Sequence, residues 1–290
     1  MVPSENQKHP LPTALIVLFG LFLLGTSNIF ALDDPIDSTG KYIGFKPHGD
    51  ITRFAGETLF YDISFLWFEN AATAKVQFIK ERGKYYSTLE ASTKGFVGFF
   101  TAYRKHFYKT EFEIVDDGKS LRPKSFLRQV TIGGNSETTR HKFNYSTRKH
   151  TWSKFINDEK FESGEEDIPV DHSFHDILTA FYNVRNSNYG SLTKGNRFKI
   201  KTIPEKGHDE ISVHIWSQEE EEKFRIVEGR EKKDEMLLNI IVPKEIFQTE
   251  TGELMVWSST HFIPVETTVK DYILLGDLHA KFTRREISLR

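Results

Sequence analysis

Apolar residues recur along this chain at every second position, in short runs separated by turn-forming residues. Between Thr58 and Phe68 the odd positions Leu59, Tyr61, Ile63, Phe65 and Trp67 form one apolar face, and Asp62 and Ser64 mark the other. Ala74, Val76 and Phe78 then alternate with Thr73, Lys75 and Gln77, and Glu69-Asn70-Ala71 is the turn expected between the two runs. A period of two is the signature of a strand with one face on a core. The same reading predicts strands over Tyr85–Ser92, His106–Val115, Lys124–Ile132, Thr138–Tyr145 and Lys149–Ile156. A second set is expected at Arg197–Ile203, Glu210–Ser217, Lys223–Glu231, Met236–Val242, Glu253–Ser258, Val265–Leu274 and Asp277–Arg284. Turn residues separate the strands, as at Arg82-Gly83-Lys84 and Gly133-Gly134-Asn135. The acidic run Glu219 to Glu222 falls between two predicted strands and reads as a solvated hairpin tip.

One helix interrupts the strands. Asp176 is placed to cap residues 177 to 185, in which Ile177, Leu178, Phe181 and Val184 fall at i, i+1, i+4 and i+7 and form an apolar face. Lys94 to Tyr103, rich in Gly and Phe, is either a short helix or a loop. Strands before and after a single helix favour antiparallel meanders over βαβ units. A sheet of a dozen strands curls or splits. The expected fold is therefore mainly antiparallel β, with a curved sheet or open barrel packed around one central helix.

The N-terminus changes the picture. Ala14 to Leu24 is an unbroken apolar run with the length of a signal-peptide core and too short to span a bilayer. Ile29 and Ala31 suit the −3 and −1 sites of a cut before Leu32, and an uncleaved anchor is the alternative. The expected organisation is a signal peptide over 1–31, a polar leader over 32–53 and one β-rich domain over 54–290. The chain has no cysteine, which removes disulfides, thiolate metal sites and a lipoprotein anchor. Its formal charge of −2 gives no reason to expect nucleic acid. The 25 Phe, 10 Tyr and 4 Trp suit pleated, half-buried surfaces.

Candidate chemistry is sparse. Asp171-His172-Ser173-Phe174-His175-Asp176 brings two histidines and flanking carboxylates together, but Asp176 is better used as the helix cap and no metal site is expected. No Gly-x-Ser-x-Gly elbow is present, and Gly95 to Phe100 lacks the Lys-Ser/Thr of a phosphate loop. No catalytic residue, cofactor or metal is expected. What stands out is aromatic density: Phe96, Phe99, Phe100 and Tyr103 beside the first strands, and Phe181 and Tyr182 on the helix. These side chains either fill a core or line an apolar cavity under the sheet. Arg185 complements the helix dipole and is expected to pair with a buried carboxylate, for which Glu57 is the candidate.

Several segments together resemble a bacterial family of exported proteins catalogued as domain of unknown function 3108. Gly56-Glu57-Thr58-Leu59-Phe60-Tyr61-Asp62-Ile63-Ser64 is similar to the family's opening strand, and Phe107 to Pro123 to its charged strand and Pro-containing turn. Asp176 to Arg185 resembles its Asp-Pro-Leu-Ser-Ala-Phe-Tyr-x-x-Arg helix, with Ile177 in place of the proline. Val256-Trp257-Ser258 and Phe262-Ile263-Pro264-Val265 resemble its closing strands, so that Trp257 joins Glu57, Asp176 and Arg185 as an expected structural residue. The resemblance spans about residues 54 to 284 and implies an exported β-rich protein, with no catalytic residue to carry over. The function expected is non-catalytic binding of a lipid or other apolar or amphipathic envelope component in the periplasm. A structural protein docking to an envelope partner is the alternative, and a hydrolase is a third. A continuous cavity of several hundred cubic ångströms would favour the first, and a filled interior the second.

Overall fold

A computed structural model describes residues 47–205, 208–247, 249–272 and 276–288. The expected signal peptide and residues 32–46 of the leader lie outside the described residues. The rest of the leader does not stand apart from the fold. Asp50 caps a single 3-10 turn, Ile51–Phe54, whose Ile51 and Phe54 are buried in the core.

Along the chain follow β1 (Glu57–Phe65), β2 (Phe68–Glu81), β3 (Lys84–Thr93), α1 (Gly95–Phe100), β4 (Lys105–Val115), β5 (Ser120–Ile132), β6 (Asn135–Asn144), β7 (Lys149–Ile156) and β8 (Glu159–Asp167). Then come α2 (Ile177–Arg185), β9 (Arg197–Glu205), β10 (His208–Ile215), α3 (Gln218–Glu228), β11 (Glu235–Ile241), α4 (Lys244–Phe247), β12 (Glu253–Ser259), β13 (Pro264–Tyr272) and β14 (Gly276–Ile287). Among the described residues the strands form one antiparallel sheet of fourteen, in the order β8-β7-β6-β5-β4-β3-β2-β1-β14-β13-β12-β11-β10-β9. The two meanders thus join where β1 pairs with β14, Glu57 lying opposite Ile287. Gly56 makes this seam possible. Its φ is +89°, and a Cβ there would stand 2.3 Å from the Ser288 carbonyl oxygen.

The alternation read in the sequence sets the faces: Leu59, Tyr61, Ile63 and Phe65 are buried, while Phe60, Asp62 and Ser64 are half-buried. The run stops earlier than expected. Leu66 turns the chain with a φ of +49°, and Trp67 is 79% exposed. Glu69-Asn70-Ala71 lies inside β2 and is not the turn. β8, not anticipated, is an edge strand whose charged residues blunt further pairing. The other edge, β9, is covered by the chain entering α2: the His175 N–H donates to the Lys201 carbonyl at 2.9 Å, and the Thr202 hydroxyl to the His175 carbonyl at 2.7 Å.

The acidic run is also placed differently. Glu219 to Glu222 is the start of α3, not a hairpin tip, and the predicted strand Lys223–Glu231 is mostly this helix. Ser217 and Glu220 close a capping box, the carboxylates favour the helix N-terminus, and Gly229 ends the helix with a φ of +61°. On the face of β12 opposite the main core, α3 sets Phe224 6.3 Å from Trp257, with the Arg225 and Arg230 guanidiniums over the indole at 4.2 and 4.5 Å. Trp257 is the buried anchor of that contact.

α2 packs on β3, β4 and β5 and is held chiefly by polar side chains at its ends. The Asp176 carboxylate, fully buried, accepts from the Leu178 and Thr179 N–H groups at 2.9 and 3.1 Å, and from the Thr110 and Thr179 hydroxyls at 2.6 Å each. Asn183 satisfies both backbone groups of Leu121 at 2.8 Å. One large apolar cluster joins Leu178 and Tyr182 to β1–β6, and a second joins Ala180 to β9–β12.

Candidate functional site

Between α2 and the sheet lies an apolar cavity of about 300 Å³. Its existence follows from side-chain size. Ala74 and Ala91 are directly opposed on β2 and β3, and Ala280 on β14 lies opposite both Ile63 and Thr267. Small residues at inward positions leave the sheet's concave face unfilled, where a Leu or Phe would close it. The far wall comes from β9 to β12, with Ile200, Ile211, Val213, Leu238, Leu254 and Val256.

The helix contributes its stripe. Of the apolar face expected from the sequence, Ile177, Phe181 and Val184 line the cavity half-buried, and Leu178 lines it fully buried. The closed core instead takes Tyr182, fully buried against Phe78 at 4.9 Å and Phe54 at 5.5 Å. α2 is therefore apolar on two faces.

Polar groups in the wall are few, and His106 and Tyr108 are engaged with each other. Arg104 Nε donates to His106 Nε2 at 3.1 Å, His106 Nδ1 lies 3.3 Å from the Tyr108 hydroxyl, and that hydroxyl donates to the Ile246 carbonyl at 2.9 Å. Burial, reinforced by Arg104 and Arg128, pushes the His106 imidazole down to about 3. It is neutral, and the chain of contacts fixes the proton on Nδ1. The Arg104 guanidinium also lies 5.9 Å from the Tyr272 ring, another wall residue. The Tyr61 hydroxyl is buried in the wall with no hydrogen-bond partner among the described residues, and burial raises its pKa. Arg104, His106, Tyr108 and the small inward residues were not identified from the sequence. Only cross-strand register brings them to one place.

Arg185, at the cavity's edge, pairs with Glu57: Nη2 donates to Oε1 at 3.1 Å and Nη1 to Oε2. Arg285 Nε adds a bond to the same carboxylate at 2.9 Å, and Arg185 Nε donates to the Phe262 carbonyl at 3.0 Å. Burial pushes the Glu57 carboxyl up, but the two arginines outweigh it and hold it below its ordinary value.

The remaining sequence candidates fall elsewhere. Phe96, Phe99, Phe100 and Tyr103 do not line the cavity: they are 63, 69, 69 and 55% exposed on and just after α1. α1 lies across the end of β2 and β3 with Val97 turned in, so its other aromatics face out. His172 and His175 do not converge. His172 contacts Asp171 at 2.9 Å, whereas His175 is packed on Tyr189 at 5.5 Å. Among the described residues no group of three or more His, Asp or Glu side chains is placed to hold a metal ion. The acidic run is dispersed over separate roles, Glu219 with Lys223 at 2.8 Å, Glu220 in the cap and Glu221 with Arg225 at 3.1 Å. A further buried chain links Glu166 to His150 at 2.7 Å and His150 to His141 at 2.9 Å, inside a stack with Phe126 and Phe143. It lies away from the cavity wall.

The profile of a family described as "Protein of unknown function (DUF3108)" matches residues 61–273. The chain belongs to this family. The matched span holds α2 and most of the cavity wall, whereas Glu57 and Arg285 lie outside it. In structure the chain is similar to a solved beta-barrel-like protein of domain of unknown function DUF1849 from Brucella abortus. The identity is 10% and the TM-score 0.44, over 81% of this chain and 98% of that one. No curated protein matches the chain in sequence.

Proposed function

We propose that this member of the family is a non-catalytic binding protein of the cell envelope, which holds an apolar or amphipathic ligand between α2 and the curved sheet. The observation that carries the reading is the half-buried stripe Ile177, Phe181 and Val184 facing a cavity of about 300 Å³. That volume is at the lower end of the roughly 300–1,000 Å³ of small-molecule pockets. The walls suit an acyl chain or another elongated apolar group. The Arg104–His106–Tyr108 chain offers a polar end for an amphiphile. The reading of residues 1–31 as a signal peptide supports export to the periplasm or beyond. A binding role agrees with the wall chemistry, in which the histidine and Tyr108 are committed to one another and to backbone.

The test is extraction of the purified full chain with organic solvent and mass spectrometry of what is released, together with titration of a fluorescent fatty acid. Ala74→Phe with Ala280→Phe should fill the cavity and abolish probe binding. The reading fails if no lipid is carried or exchanged, or if the filled variant binds the probe as well as the parent.

A further inference from the structure

We propose that the end of the fold bearing α1 docks onto an anionic lipid bilayer. A chain of aromatic rings crosses this end: Trp67 to Phe68 at 5.5 Å, Phe68 to Phe96 at 5.7 Å, Phe96 to Phe100 at 4.4 Å and Phe100 to Phe99 at 5.5 Å. Trp67, Phe96, Phe99 and Phe100 are each more than 60% exposed, and Leu66 and Tyr103 extend the patch. Contiguous apolar surface of this kind on a folded chain marks an interaction site.

The rings are presented by a fixed scaffold. The Lys94 N–H donates to the Ala71 carbonyl at 2.9 Å, and the Gly133 N–H to the Ala102 carbonyl at 2.7 Å. Ala102 and Tyr103 both hold positive φ, 52° and 50°, and a Cβ on Gly98 would stand 2.8 Å from the Tyr103 ring. Two consecutive non-glycine residues in that region are strained backbone held in place by its surroundings.

Charge selects the partner. Lys94, Arg104 and Lys105 flank the aromatics and outnumber Glu69, the exposed carboxylate beside Phe68, and no carboxylate occurs between Glu90 and Glu111. Lys94 and Lys105 are exposed. Aromatic side chains that seat in the headgroup layer, framed by cations, complement an anionic membrane surface. The patch is also continuous with the cavity. On β1 the inward row runs from Tyr61 and Ile63 in the wall to Phe65, which packs with Val97 of α1. Arg104 reaches the wall residues His106 and Tyr272 from the same end. A docked protein would thus present the cavity to the bilayer. The proposal rests on the exposed rings and the cations, so it stands or falls apart from the ligand reading.

The absence of cysteine allows a single label. Full-length Phe99→Cys, carrying an environment-sensitive fluorophore, is mixed with vesicles of phosphatidylglycerol and phosphatidylethanolamine, and separately with phosphatidylcholine vesicles. Full-length Ile226→Cys, exposed on α3, is the control for insertion through the N-terminal apolar run. The label at 99 should blue-shift and brighten severalfold on the anionic vesicles, and brominated acyl chains should quench it. Lys94→Gln with Lys105→Gln should weaken partitioning about 25-fold, since each basic group near an anionic surface contributes roughly fivefold. Lipid extraction of the same preparation reports the cavity independently. The proposal is overturned by no response at 99, by an equal response at 226 or on phosphatidylcholine, or by a response that follows protein concentration without vesicles. That last outcome would identify a second copy as the occupant.

Discussion

Removing one member of the Glu57–Arg185 pair should destabilise the domain by an amount that depends on which member goes. Both side chains are buried, but they are unequally supported. Glu57 also accepts from Arg285 at 2.9 Å, whereas Arg185 without Glu57 retains the Phe262 carbonyl and the faces of Phe54 and Phe181 at 4.5 and 5.3 Å. Breaking a buried pair by deleting one partner costs about 3–5 kcal/mol, because the other charge is left in a poor solvent. Glu57→Leu strands a guanidinium and should lie at the upper end. Arg185→Met keeps the aliphatic stem, leaves Glu57 with Arg285, and should lie at the lower end. For a domain of this size each kcal/mol lowers Tm by about 2–4 °C, so the expected losses fall between roughly 6 and 20 °C. The double variant should recover much of the loss, with a coupling of about 2 kcal/mol or more in a urea-denaturation cycle. Additive losses, or an unchanged Tm for Arg185→Met, would refute the account.

Three other outcomes follow from the same geometry. Stability should fall as pH drops from about 6.5 to 4, because burial depresses the imidazoles of His106 and His141 to about 3 and of His175 to about 4. Such groups bind protons in the unfolded chain first, so stability rises with pH across that window by about 1.4 kcal/mol per pH unit for each fully depressed group. Asp176, raised by burial, opposes the trend, while Glu57, held low, adds to it at the acid end. Denaturant midpoints at pH 7, 6 and 5 test this, and a flat profile would count against it. Asp176→Ala should lose about 2–3 kcal/mol, combining a lost cap with a buried Thr110 hydroxyl left unpaired, and Asp176→Ser should recover part of it. Tyr182→Ala should cost about 3–5 kcal/mol without a specific effect on binding, whereas Phe181→Ala should cost less and weaken the fluorescent fatty acid. Equal effects of the two on melting and binding would show that the faces of α2 are not distinct.

Much of the strand content was legible because alternation is local: the inward row of β1 and the cap at Asp176 can be read from neighbouring residues alone. The misreadings have identifiable causes. Leu66 and Trp67 turn the chain without a glycine, proline or asparagine, so nothing in their type signals the end of β1. In α3 the Ser217–Glu220 box was a readable start signal, but Phe224 and Ile226 alternate with charged residues and imitate a strand. The cavity was not legible for a different reason. Ala74, Ala91 and Ala280 are unremarkable in sequence, and become a wall only when register sets them side by side. The aromatic excess near residue 100 was visible, yet composition does not say whether a ring turns inward or out.

The two faces of α2 give the fold a division of labour with a physical basis. Tyr182 and Asn183 bind the helix into the closed core through full burial and through partners on β2 and β5, while Leu178 and Arg185, also buried and Arg185 paired with Glu57 of β1, reach the cavity wall as well. Ile177, Phe181 and Val184 contribute less to burial because they face the cavity. Apolar surface left half-buried forgoes about 25 cal/mol for each Å² that a ligand would remove from water. That unspent burial is available to a ligand, and its size depends on the side chains of the wall. Ligand preference can then shift through substitutions at Ala74, Ala91 or Ala280 while the Glu57–Arg185 seam continues to hold the two meanders together.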